Sequence, residues 1–214
     1  KLITLLSHSN GWVRNKAQQM LVDRKDKSLE LPLRQVLKSG SPILARVHAL
    51  WTMEGLGVLK EDDVLALLKN TDWTLRMQAL TVLPSVLNKE NYKGFLPVLF
   101  AMCDENDVLA APYLAFLSPS IQVFDPFSAK KLLLDLSKKY SGNIFISDAV
   151  ISTLQNREAA FYNEFTGINP DTSLVISKRL KKIVDDLAKK KVNAPDPAKE
   201  FPRGLALYRN ICQA

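Results

Sequence analysis

A nine-residue template recurs along the chain and constrains its fold more than any other feature of the sequence. It reads apolar–Arg–x–x–Ala–x–x–x–apolar and occurs at residues 13–21, 45–53 and 75–83. Spacings of three and four residues bring its apolar positions and its Ala to one face of an α-helix. The small Ala allows a neighbouring helix to approach closely. We therefore assign structural roles to the repeated residues Arg14, Ala17, Arg46, Ala49, Arg76 and Ala79.

Two weaker copies follow the three clear ones. The fourth begins at Val108 and Leu109, has Pro112 at the Ala position and ends at Phe116. The fifth covers residues 145–149, with Ala149 at the Ala position. Both copies lack the Arg, so they extend the repeat only by their spacing and apolar pattern.

Another helical segment precedes each template copy, and a polar turn separates the two. The pattern predicts first helices at 2–7, 29–38, 61–69, 93–102 and 127–140, and second helices at 11–22, 42–53, 73–87, 107–116 and 143–154. Capping residues such as Asn and Asp stand where the second helices begin. A helix pair of this size cannot bury its apolar face alone, so neighbouring pairs are expected to stack.

The turn residues next to the template resemble those of the HEAT repeat family. Asn10 and Asp72 stand four residues before Arg14 and Arg76, as in that family, although Pro42 and Glu105 depart from the pattern. The resemblance implies an all-α fold, a HEAT-like α-α superhelix (solenoid) of about five helix pairs over residues 1–156. The alternative is a helical bundle without superhelical order.

The sequence beyond the repeats divides into three parts. Residues 157–191 form two predicted terminal helices that cap the solenoid, the second with an apolar stripe and a Lys-rich face. Residues 192–202 contain Pro195, Pro197 and Pro202 and are predicted to be a linker. Residues 203–214 begin a further helix.

No combination of residues in the sequence is suited to catalysis. His8, His48 and Cys103 are too few and too scattered for the three or four ligands of a metal site. Asp62 and Asp63 are neighbours in sequence and are expected to be solvated on different helix faces. We therefore expect no enzymatic activity, no cofactor and no metal site within these 214 residues.

The positive charge is concentrated near the carboxyl end. The net charge is +7, and residues 171–214 hold ten Lys and Arg against five Asp and Glu. This segment could form a docking face for an acidic partner or nucleic acid, or simply a solvated helix face. Its Lys residues are not interleaved with exposed aromatic residues, which counts against nucleic acid. No apolar run is long enough to form a transmembrane segment.

The last residues resemble the first helix of a class I cytochrome c domain. Gly204, Tyr208 and Cys212 have the spacing of the pattern Gly-x-x-x-Tyr-x-x-x-Cys-x-x-Cys-His. The resemblance implies that Cys212 is the first cysteine joined by a thioether to haem c in a longer parent protein. The second Cys and the His of the motif lie beyond residue 214, so we expect these 214 residues to be a piece of that parent.

Two further strings are similar to a bacterial family of secreted, membrane-bound-dehydrogenase-like proteins. These strings are Asn-Gly-Trp at 10–12 and Arg-Val-His-Ala-Leu-Trp at 46–51. Members combine a sorbosone-dehydrogenase-like propeller, HEAT repeats and a haem-binding cytochrome c domain. The resemblance implies a periplasmic, secreted or cell-envelope location and a parent that oxidises a sugar or alcohol.

Two functional hypotheses follow from the sequence. The first is a non-catalytic scaffold that links a dehydrogenase-like domain to a haem c electron-transfer domain. Its partners would be the neighbouring domains of the same chain and another protein on the concave face of the solenoid. The alternative is a stand-alone HEAT module that binds protein or nucleic acid.

Overall fold

The computed structural model describes residues 1–40 and 42–192, and this part of the chain is all-α. It contains two short 3-10 helices, Ile3–Ser7 and Lys27–Leu29, and eleven α-helices. These are α1 Gly11–Asp23, α2 Glu30–Ser39, α3 Ile43–Gly55, α4 Glu61–Leu68, α5 Trp73–Val86, α6 Tyr92–Asp104, α7 Ala110–Gln122, α8 Pro126–Lys139, α9 Ile144–Ser152, α10 Glu158–Ile168 and α11 Val175–Val192.

The helices agree closely with the pattern in the sequence. Each predicted segment contains a helix, and most ends fall within two residues of the prediction. Two differences stand out. The first segment, Ile3–Ser7, is a 3-10 helix and not an α-helix. The fourth template helix begins at Ala110 instead of residue 107 and continues to Gln122.

Capping side chains determine where the odd-numbered helices begin. The Asn10 side chain accepts a hydrogen bond from the Trp12 amide, and the Asn143 side chain accepts from the Phe145 and Ile146 amides. The Asp72 carboxylate accepts from the Leu75 amide. Such caps satisfy amide groups that the helix itself leaves without a partner. Helix α3 begins after Pro42 without a side-chain cap, and ahead of α7 it is Asp107, not the adjacent Leu109, whose side chain accepts from the Leu109 and Ala110 amides.

The odd-numbered helices pack against one another in chain order. Helix α1 contacts α3, α3 contacts α5, α5 contacts α7, α7 contacts α9 and α9 contacts α11. Each of α3, α5, α7, α9 and α11 also contacts the even-numbered helix that precedes it. The template residues Ala17, Ala49 and Ala79 are buried, with at most 2% of their surface exposed. These three alanines therefore belong to the core, as their small size in the template predicts.

The structure corrects the register of the two weak template copies. The capping residues are Asp107 and Asn143, so the copies start two residues and one residue later than the sequence suggested. The predicted core positions Val108, Phe116 and Phe145 are consequently exposed, by 52%, 54% and 78%. In both copies an apolar doublet, Val108–Leu109 and Ile144–Phe145, hid the true start of the repeat.

A second correction concerns Asp63, which was expected to be solvated. Its side chain is only 4% exposed and pairs with Arg34 of α2, from Nη2 to Oδ2 at 2.8 Å. Arg34 also bonds Glu30, and Lys60 lies 2.8 Å from the same Glu30 carboxylate. Lys60 and Arg34 together lower the pKa of Glu30 to about 2. The four side chains join α2 to α4, a pairing between distant segments that sequence spacing does not reveal.

Within the described ranges, every helix is too short or too polar to cross a lipid bilayer.

Candidate interaction surface

The three template arginines lie near the starts of α1, α3 and α5, and the side chains of Arg14 and Arg46 reach back to the end of the preceding helix. Arg14 donates from Nη1 to the carbonyl oxygens of His8 and Ser9, at 2.7 and 2.8 Å. Arg46 donates from Nε to the carbonyl oxygen of Leu37, near the end of α2, at 2.8 Å. A cation at the end of a helix satisfies free carbonyl groups and interacts favourably with the helix dipole. The structural role assigned to these two arginines follows from those contacts.

Arg76 departs from this arrangement. Its Nη2 donates to the Glu105 carboxylate at 2.7 Å, and its buried Nε has no partner among the described residues. Lys139 takes the capping role one pair further on, since its Nζ donates to the Cys103 and Glu105 carbonyl oxygens at 3.1 and 2.7 Å. Equivalent template positions therefore do not all make equivalent contacts.

A chain of polar contacts crosses from α1 to α3. Arg14 Nε donates to His48 Nε2 at 3.2 Å, and His48 Nδ1 lies 2.7 Å from the Gln18 side-chain oxygen. Because Nε2 accepts, the ring proton is assigned to Nδ1, which donates to Gln18. Burial and the nearby Arg14 charge lower the pKa of His48. The expected packing role of His48 is thus accompanied by a hydrogen-bonding role.

Aromatic and sulfur-containing side chains continue the contacts from α3 to α7. Trp51 Nε1 donates to the Gln78 side-chain oxygen at 2.6 Å. The Tyr113 hydroxyl donates to Met77 Sδ at 3.1 Å, and the Tyr113 ring meets Trp73 edge-on with centroids 6.2 Å apart. These residues are partly exposed, so the contacts order a surface as well as joining helices.

We call the exposed side of α3, α5, α7 and α9 the odd-helix face, and this face is poor in charge. The four helices carry only Arg46, Glu54, Arg76 and Asp148 as charged residues. Both arginines are bound by Leu37 and Glu105, as described above, and Asp148 pairs with Arg179 of α11. The even-numbered helices differ sharply, since α4 alone contains three acidic residues and α8 four Lys and one Asp.

Large apolar side chains are exposed on and beside the odd-helix face. Phe116 and Val123 lie seven residues apart along α7 and are 54% and 76% exposed. A second set occupies one repeated position, two residues after Asn10, Pro42, Asp107 and Asn143, while the α5 copy has Thr74 there. It consists of Trp12, Leu44, Leu109 and Phe145, which are 72%, 44%, 58% and 78% exposed. Exposed large apolar side chains are typical of interaction sites where they lie together on one surface.

The reactive side chains do not form a common site. Cys103 is buried, and desolvation raises the pKa of its thiol to about 11, as expected for a core residue. Among residues 1–40 and 42–192, no three His, Cys, Asp or Glu side chains come close enough together to hold a metal ion. Cys212 lies outside the described residues, so the haem prediction made for it remains a prediction.

Sequence reasoning missed the odd-helix face because it looked for charged and reactive residues. The available signal was the uncharged stretch from Val108 to Phe124, which spans a whole helix with exposed positions. The search for similar proteins adds no assignment. The chain matches no family model, and neither a curated protein nor a solved structure is similar to it.

Proposed function

We propose that this chain is a non-catalytic protein-binding scaffold built as a HEAT-like α-solenoid. The contacts of α1, α3, α5, α7 and α9 in chain order are those that stacked helix pairs make. Helices α10 and α11 would close the stack at its carboxyl end. The observation that carries the function is the odd-helix face, which is poor in charge and exposes large apolar side chains such as Phe116.

The chemistry of this face favours a protein partner over nucleic acid. Nucleic-acid binding requires several Lys or Arg side chains free to contact phosphates. On α3, α5, α7 and α9 the only two cations, Arg46 and Arg76, are engaged within the protein. Aromatic residues and Met are instead enriched at protein interfaces, and Lys is depleted there.

A site-specific photo-crosslinker tests the proposal in the native host. It would be placed at Phe116 on the odd-helix face and, as a matched control, at Lys131 on α8, which is similarly exposed. We expect a defined protein adduct from position 116 and none from position 131. Equal labelling from both positions would contradict a specific binding face.

Binding to DNA is the second measurement. We expect no retardation of a duplex at physiological salt. Salt-sensitive binding that disappears when Lys178 and Lys182 are replaced by Ala would instead support the nucleic-acid alternative, since these exposed lysines lie on α11.

The scaffold is further proposed to join a dehydrogenase-like domain to a haem c domain in a cell-envelope oxidoreductase. Support comes from the spacing of Gly204, Tyr208 and Cys212 and from the two family-like strings in the repeats. Reading the gene beyond codon 214 tests this. Codons for Cys and His directly after Ala214 would complete the haem-attachment motif, and any other pair would end the haem proposal.

A further inference from the structure

A groove between α4 and α6 is a cavity of the described structure that the proposed function does not use. Its volume is about 590 Å³. Leu65, Pro97, Val98 and Ala101 provide apolar walls, and Arg76 and Glu105 lie at its polar part. The volume falls within the usual range for small-ligand sites, which are mostly apolar with a few polar groups.

The repeat itself explains why this groove is open. Between α2 and α4, the residues Glu30, Arg34 and Asp63 form the ion-paired bridge described above. Thirty-one positions later, the equivalent residues are Glu61, Leu65 and Gly94. Of these three residues only Glu61 is charged, so an ion-paired bridge cannot form there.

Both substituted residues, Leu65 and Gly94, line the groove. The corresponding groove between α2 and α4, where Asp63 remains, has a volume of about 370 Å³. At the position equivalent to Arg34 the side chain is the apolar Leu65, and at the position equivalent to Asp63 it is the single hydrogen of Gly94. The wider groove is therefore a local departure from the repeat and not a general consequence of helix stacking.

Arg76 gives the groove a specific chemistry. Its Nε is buried without a hydrogen-bond partner among the described residues, while Nη2 holds only Glu105. An unsatisfied buried donor is costly, and a planar carboxylate that bonds Nε and Nη2 together would satisfy it. Lys69, which also lines the groove, adds a second positive charge.

The side chain of Glu105 can move away from Arg76 while the backbone of Glu105 stays in place. The carboxylate side chain is 49% exposed, and exposed ion pairs contribute little stability. The backbone at the same residue is held in place, because its carbonyl oxygen accepts from Lys139 Nζ at 2.7 Å and from the Tyr140 hydroxyl at 3.2 Å. The side chain can therefore swing out without moving the turn.

We propose that this groove binds an aliphatic carboxylate. The aliphatic chain lies along the walls formed by Leu65, Val98 and Ala101, and the carboxylate replaces Glu105 on the Nε and Nη2 edge of Arg76. The same chemistry is present in a free monocarboxylate and in the carboxyl terminus of an apolar peptide.

Four probes separate carboxylate recognition from general apolar binding. They are hexanoate with its neutral analogue hexanol, and N-acetyl-Val-Leu with its carboxyl-terminal amide. Binding is followed by the methyl NMR signals of Ala101 and Met102, which line the groove. At least one acid should bind, and its neutral analogue should not. Binding of hexanoate alone identifies a free carboxylate as the ligand, and binding of the peptide acid alone identifies a peptide terminus. Equal binding of acids and neutral analogues, or no binding of either acid, would overturn the proposal.

Variants then test the role of each residue. Glu105→Ala removes the competing carboxylate and should tighten acid binding about threefold. Arg76→Lys should weaken it about tenfold, since the two-donor edge is lost. The double variant Leu65→Arg with Gly94→Asp restores the bridge of the preceding repeat and should abolish binding while the protein stays folded. Ala66→Leu, in the smaller groove, is the matched control and should leave binding unchanged. Unchanged binding in both Glu105→Ala and the double variant would refute the assignment.

Discussion

Some residues at packing positions of this protein also form ion pairs or hydrogen bonds that the sequence pattern did not predict. His48 is the clearest case, since it occupies a packing position and yet accepts a hydrogen bond from Arg14 and donates one to Gln18. The contact with Arg14 requires the neutral ring, because a protonated ring would present a donor at Nε2 to the Arg14 guanidinium, whereas Nδ1 donates to Gln18 in either form.

Stability should accordingly depend on the charge of His48. The pKa is lowered by folding, so the unfolded chain binds the proton more tightly. The contribution of the neutral ring is complete above the unfolded pKa of about 6.5 and is lost as the pH falls through the lower folded value. Urea denaturation at pH 7.5 and 5.0 measures the loss for the wild type and for His48→Gln. The wild type should lose more stability than the variant, and an equal loss in both would contradict the assignment.

Asp63 provides a second test at the residue scale. Replacement by Ala leaves Arg34 largely buried without its main partner, which typically costs about 3 kcal/mol. The neighbouring Asp62 is exposed, so Asp62→Ala should change the free energy of unfolding by no more than about 0.5 kcal/mol. Urea titration of both variants makes the comparison. Similar values for the two would show that Asp63 is not a bridging residue.

The residue at which an individual helix begins depends on which side chain caps its first turn. Sequence spacing located the helices well, yet it misplaced the starts of α7 and the register around α9. The Val108–Leu109 and Ile144–Phe145 doublets offered two apolar registers, and periodicity could not choose between them. The choice was made by Asp107 and Asn143, whose side chains accept hydrogen bonds from the following amides.

The cap of α9 should contribute measurable stability. Asn143→Ala removes the side-chain acceptor for the Phe145 and Ile146 amides and should cost about 1 kcal/mol. Asn106→Ala, in an exposed turn, is the control and should be nearly neutral. Thermal unfolding by circular dichroism gives both values. A cost at position 106 equal to that at 143 would argue against the cap.

The molecule as a whole is held together by contacts between successive helices. Helix α11 contacts α9, α10 contacts α11, and these two last helices bury Phe161, Phe165, Ile176 and Leu180. A truncated chain can therefore measure how much the predicted terminal helices at 157–191 stabilise the predicted repeats at 1–156.

A chain that stops at residue 156 should lose stability and associate. Removing α10 and α11 uncovers the side of α9 that α11 contacts, and exposed apolar surface promotes self-association. A chain that stops at residue 192 keeps both helices and should unfold at a higher temperature than the 1–156 chain. Thermal unfolding and size-exclusion chromatography compare the three lengths. A monomeric 1–156 chain of undiminished stability would show that α10 and α11 are not a cap.

The amino-acid sequence by itself determined the all-α fold and the position of nearly every helix. It could do so because a spacing of three and four residues, and a capping residue at several of the starts, act within one helix. It also determined which alanines are buried, since Ala17, Ala49 and Ala79 belong to that local pattern.

The tertiary structure alone decided which distant residues meet. The Arg34–Asp63 bridge, the wider groove beside Leu65 and Gly94, and the charge-poor odd-helix face all depend on which helices become neighbours. Those contacts join segments some thirty residues apart, and no local spacing rule encodes them. The physical reason is that packing selects partners by shape and burial over the whole molecule, whereas periodicity selects only the face of a single helix.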